Sequence, residues 1–71
     1  MYAVKVIDAK GRTRRYEEFS TAEKSHEEWE ATVKAGEQRK FAWGLIGYRV
    51  QRIRDGRVMV EHVHTRTSSY N

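Results

Sequence analysis

His62-Val63-His64 is the pair of side chains whose spacing most directly suggests chemistry. On a strand, residues two apart share a face, so both imidazoles could reach one metal ion. A stable site needs three or four ligands. The third histidine, His26, falls on what reads as the inner stripe of a helix, and the chain has no cysteine. The pair is therefore expected to be two strand-end histidines, with His62 partly covered, and no metal or other cofactor is expected. Nucleophilic chemistry finds no better footing. Serines stand at a helix cap, inside the helix and in the C-terminal tail, none in a tight elbow between glycines. Glu27, Glu28 and Glu30 read as a solvated helix face rather than an acid and base pair. Gly44 and Gly47 give a lone Gly-x-x-Gly, and the RNA-binding use of such a loop needs flanking helices that the pattern does not provide. Phosphate-loop and dinucleotide fingerprints are missing. A non-enzymatic protein is the expectation.

Size points the same way. Seventy-one residues make one domain. A chain this short buries only about 60% of its unfolded surface, so its core is thin and offers little wall for a catalytic cleft. The formal charge is +4, unevenly spread. From Glu17 to Glu37, seven glutamates face Lys24 and Lys34, a net of −5. The remainder sets twelve lysines and arginines against Asp8, Asp55 and Glu61, a net of +9. An acidic middle thus lies between basic flanks. No run is long and apolar enough to span a membrane, and the N-terminus alternates like a strand instead of carrying a signal peptide's apolar block, so a cytoplasmic protein is expected.

The elements that must position these groups follow from periodicity. Tyr2, Val4 and Val6 alternate with Ala3, Lys5 and Ile7, as a half-buried strand does. Asp8-Ala9-Lys10-Gly11 reads as a type I turn with Gly11 as the bulge, which places Val4 opposite Tyr16 on a second strand over 12–19. Ser20-Thr21-Ala22-Glu23 fits a capping box with Ser20 as N-cap. Ala22, His26, Trp29 and Val33 follow at helical spacing, and Gly36 suits a C-cap. The stretch 41–47 is apolar and broken by glycines. It reads as a loop over the core's open end or as an irregular strand. Residues 48–53 and 57–64 make a second hairpin around Asp55-Gly56. A two-residue turn would set Val50 against Glu61. A type I turn with a Gly56 bulge sets Val50 against Val60 and Arg49 against Glu61, which matches like with like and opposite charges, and is the register expected. The order ββαββ predicts an α+β domain over 1–64, a four-stranded antiparallel sheet with one helix on one face. The tail over 65–71 is expected to fray.

In these registers the inner face holds Tyr2, Val4, Val6, Tyr16, Tyr48, Val50, Val58 and Val60 beneath Trp29 and Val33. The outer face holds Lys5, Ile7, Arg15, Arg49, Gln51, Ile53, Arg57 and Met59, with Glu61 beside them. Arg14, Arg52 and Arg54 would extend the same positive edge. One side of an antiparallel sheet is commonly wet, and long arginines shield apolar neighbours. Basic residues interleaved with Ile7, Ile53 and Met59 also suit docking on an acidic partner. An acidic protein surface is favoured over nucleic acid. Glutamates on the helix would repel phosphates, and the inward tyrosines leave no platform for stacking bases. Trp43 and Phe41 are expected to cover the core. A homodimer through the outer face is the structural alternative. In size and outline alone, the chain resembles the short ββαβ-type proteins of phages and bacterial mobile elements, so the acidic partner could be a host protein that it modulates.

Overall fold

The computed structural model describes residues 1–37 and 47–64. The readings made above for 41–46 and for the 65–71 tail lie outside the described residues. The elements are β1 (Tyr2–Asp8), β2 (Thr13–Phe19), α1 (Ala22–Glu37), β3 (Tyr48–Arg54) and β4 (Arg57–His64). The strands form one antiparallel sheet in the order β2-β1-β3-β4. The expected α+β architecture and the order ββαββ are both found.

The core sits where α1 crosses the sheet. Val4, Val6, Tyr48 and Val50 are buried, and Phe19, Trp29 and Val33 pack against them. Val6 lies directly opposite Val50 on the two central strands. Trp29 adds a polar anchor, because its Nε1 donates to the Val50 carbonyl at 2.9 Å. Contacts of α1 concentrate on β3, β1 and β2, so the helix leaves the inner side of β4 less covered.

The first turn forms as its residues dictate. Gly11 N donates to the Asp8 carbonyl at 3.0 Å, and Gly11 takes φ 84°. Asp8 then organises the whole turn from a buried position. Its Oδ1 accepts from the Lys10 and Arg12 amides, both at 2.9 Å, and its Oδ2 accepts from Arg14 Nε at 2.8 Å. The Arg12 amide above all, with Arg14 and the Lys10 amide, holds the Asp8 carboxyl below its ordinary value of 3.8 against the opposing effect of burial. A carboxyl depressed on folding stabilises the protein above its unfolded pKa, and that contribution is lost as pH falls through the folded value. Asp8→Asn should therefore lower stability near neutrality and converge on the wild type as pH drops below 3.8. Thermal unfolding across that range checks this. Parallel profiles for the two proteins would remove Asp8 from the acid-sensitive groups.

Both hairpins depart from the expected registers, the first through a bulge and the second through a two-residue turn in place of the expected type I turn with a Gly56 bulge, followed by a bulge of its own. In the first, Ile7 pairs with Thr13, but Val6 pairs with Arg15 and Lys5 with Tyr16, so Arg14 is the extra residue. Val4 consequently faces Glu17 and not Tyr16. Without the bulge Arg15 would lie opposite Lys5 on the outer face, a like-charge pair. With it, Arg15 turns under the helix, where it donates to Thr32 Oγ1 at 3.3 Å and to Glu17 Oε1 at 2.7 Å, and pairs with Glu28. The same shift brings Phe19 opposite Tyr2.

In the second hairpin Arg54 pairs with Arg57 across a two-residue turn, with φ 49° at Asp55 and 82° at Gly56. Positive φ at both positions is the type I′ geometry that the Asp-Gly pair favours. A bulge at Met59 then resets the ladder, so Val50 faces His62, Gln51 faces Glu61 and Arg52 faces Val60. The expected pairings of Val50 with Val60 and Arg49 with Glu61 do not occur. Glu61 is nevertheless kept off the core, where the tight turn alone would have driven it, and Gln51 Nε2 donates to its Oε2 at 2.7 Å.

The helix is also set one residue differently. Thr21, not Ser20, is the N-cap, since its Oγ1 accepts from Lys24 N at 3.2 Å and its carbonyl takes the first helical bond from Ser25 N. Its inner stripe is Ser25, Trp29, Thr32, Val33 and Gly36, while Ala22 and His26 are exposed. Ser25 satisfies its hydroxyl within the helix by donating to the Ala22 carbonyl at 2.8 Å. Small residues on the stripe let the backbone approach the sheet. Gly36 is helical and not a C-cap, and its value lies in that approach.

Candidate functional site

The structure sorts the eight residues expected on the outer face into three groups. Lys5, Ile7, Arg49, Gln51 and Ile53 do share that face. Arg15 and Arg57 do not: Arg15 lies under the helix, and Arg57 lies opposite Arg54 on the inner side at the hairpin end. Met59 is the exposed extra residue of the bulge. Two residues assigned inward, Tyr16 and Val58, instead face outward, because Tyr16 pairs with Lys5 and Val58 with Ile53.

These moves redistribute charge. Read across the four strands, the outer face has three rows: Glu18, Ala3, Ile53 and Val58; then Tyr16, Lys5, Gln51 and Glu61; then Thr13, Ile7, Arg49 and Val63. Two cations are balanced by two carboxylates, so the face is mixed rather than basic. It remains uncovered by any described element. Tyr16, Val58 and Val63 are each about half exposed (53%, 50% and 53%).

Positive charge gathers on the other side, beyond the edge of α1. Arg52 and Arg54 follow Val50 on its own face of β3, and Arg57 stands directly across from Arg54. Like charges directly opposite destabilise a ladder. Little among the described residues offsets them. Asp55 Oδ2 is 3.8 Å from Arg54 Nε, while its Oδ1 receives the N-terminal amine at 3.0 Å. The Tyr2 ring supports Arg54, whose guanidinium carbon is 5.8 Å from the ring centroid, a contact of about 0.5–1 kcal/mol at an exposed site. Arg52 Nε is buried with no hydrogen-bond partner among the described residues. Buried donors are nearly always satisfied, and sites that break local rules are where function concentrates. Sequence reasoning placed Arg52 and Arg54 only as an extension of the outer edge. Alternation from Tyr48 and Val50 would have set them on the inner face.

The two histidines of β4 pack on Tyr48. His64 stacks on Tyr48 with centroids 5.0 Å apart, and His62 lies tilted against the same ring at 6.0 Å. His26 is on the exposed side of α1, with Nε2 3.4 Å from Glu30. No group of three metal-ligating side chains occurs among the described residues. At the far end of the sheet a cleft of about 340 Å³ is lined by Ile7, Asp8, Gly47, Arg49 and His64. Asp8 is committed there to three donors and is a weak base, so it serves the turn. No helix among the described residues is long and apolar enough to cross a membrane.

The features together define a small α+β module with an open, mixed sheet face and an arginine cluster at one hairpin. Comparison with protein-family models, curated proteins and solved structures finds no match.

Proposed function

We propose that this chain is a non-enzymatic binding module that docks the Arg52, Arg54 and Arg57 cluster on an acidic protein surface. The observation that carries the reading is the Arg54–Arg57 cross-strand pair beside the partnerless Arg52 Nε. Guanidinium forks match carboxylates bidentately, so a few acidic side chains would offset the repulsion between the exposed Arg54 and Arg57. A carboxylate-rich loop fits better than a nucleic-acid duplex. Duplex DNA brings one charge per about 1.7 Å of axis, and the glutamates of α1 lie on the same side of the sheet. The nucleic-acid reading gains one point from the outward Tyr16 next to Lys5. A single aromatic falls short of the two or three stacking positions such sheets use.

Arg54→Glu with Arg57→Glu should weaken binding of a Glu-rich peptide by about 30-fold or more, the scale of leaving charges unpaired at an interface. Lys5→Glu with Arg49→Glu, on the opposite face, should change it little. Fluorescence anisotropy at two salt concentrations reads both. Equal binding by the Arg54 and Arg57 variant would sink the assignment, and tighter binding of random duplex DNA than of peptide would favour the phosphate reading.

A further inference from the structure

A second surface carries a different partner. We infer that the outer sheet face is a two-fold interface with a second copy of this chain, giving a sandwich of two sheets. The argument is the distribution of charge. Glu18 and Glu61 sit on the two edge strands, and Lys5 and Arg49 on the two central ones. A two-fold axis parallel to the strands, between β1 and β3, exchanges edge with edge and centre with centre while keeping each row. It sets Tyr16 against the other copy's Glu61, Lys5 against its Gln51, Ala3 against its Ile53, and Ile7 against its Arg49. No directly facing pair carries like charge. Glu61 of each copy then lies one strand spacing, about 4.8 Å, from the position facing Lys5 of the other. Turning the axis across the strands through the middle row instead opposes Lys5 to Lys5 and Glu61 to Glu61. The face is therefore self-complementary in one orientation, as an isologous interface must be. Aligned sheets normally cross at about −30°, which keeps these neighbours in reach.

The apolar content fits the same occupant. Ile7 and Ile53 lie half-buried on the two central strands, in the rows on either side of Lys5 and Gln51, with Val58 and Val63 exposed along β4. The face is four strands by about seven residues, roughly 19 by 23 Å. That is at the small end of specific interfaces, so the association is concentration-dependent and not permanent.

Sedimentation equilibrium from micromolar to millimolar protein tests it. A monomer–dimer equilibrium is expected. Lys5→Glu and Glu61→Lys, each alone, should weaken dimerisation by about tenfold, and the two combined should restore it. Circular dichroism checks that each variant is folded. Val63→Ser, at an exposed edge position, should weaken the dimer without changing any charge. A strict monomer at millimolar concentration overturns the inference. A dimer indifferent to Lys5→Glu, Glu61→Lys and Val63→Ser overturns the face. Lys5→Glu belongs to the variant expected to spare peptide binding, so failure here and failure of the arginine cluster are read separately.

Discussion

Trp29→Ala should remove most of the stability this domain has. Trp29 is the largest side chain that α1 lays on the core, and it also ties the helix to the central strand through Nε1 and the Val50 carbonyl. Truncating a core tryptophan costs about 3–5 kcal/mol, and part of that is the lost hydrogen bond from Nε1. A domain of 71 residues has a total of roughly 4–10 kcal/mol to lose. The substituted chain should unfold at or near room temperature, with a broad transition in urea. Trp29→Phe separates the two contributions. It keeps an aromatic ring on the core but loses the donor and part of the indole, so it should cost about 1–2 kcal/mol and remain cooperative. If Trp29→Ala melts within a few degrees of the wild type, the helix does not dock as described.

The second large effect is Gly36→Ala, and its sign is the informative part. In an exposed helix this change stabilises by up to about 1 kcal/mol. Here a Cβ at Gly36 would overlap the Tyr48 hydroxyl, and would stand only 2.6 Å from Tyr48 Cζ and 3.1 Å from Cε2. Tyr48 is 1% exposed and cannot swing away freely. Overpacking of this kind costs about 1–3 kcal/mol, enough to outweigh the gain in helix propensity. Chemical denaturation should show a lower midpoint at unchanged slope. A stabilised Gly36→Ala protein would mean that helix and ring are farther apart than the structure has them. Pairing the change with Tyr48→Phe, which removes the nearest atom, should recover part of the loss.

The two substitutions also show which parts of the molecule were legible in the residues. Trp29 and Val33 at helical spacing and the Asp8-to-Gly11 turn are local patterns that form as their own residues dictate, whereas Asp55-Gly56 marks the place of the second turn but makes a two-residue turn and not the expected type I turn with a Gly56 bulge. Gly36 reads locally as a stop signal, because a glycine near a helix end normally is one. Its actual role depends on a tyrosine twelve residues further on, which no local pattern reports. The candidate site was less legible still. Strand alternation has a period of two, so one inserted residue turns every later side chain to the opposite face. Arg14 and Met59 are such insertions, and neither is a glycine that would announce a bulge.

The sequence by itself therefore determined the element order, the architecture, the positions of both turns and the segregation of acidic helix from basic strands. All of these follow from composition and short-range periodicity. Only the tertiary structure decided which face Arg15 and Arg57 occupy. The bulge at Arg14 takes Arg15 away from Lys5 and gives it Glu17, Glu28 and Thr32. The two-residue turn sets Arg57 opposite Arg54, and the bulge at Met59 then moves Glu61 outward. Partners such as Glu28, thirteen residues from Arg15, exert this pull only once the helix is docked, so the redistribution of charge has no signature in the chain before it folds.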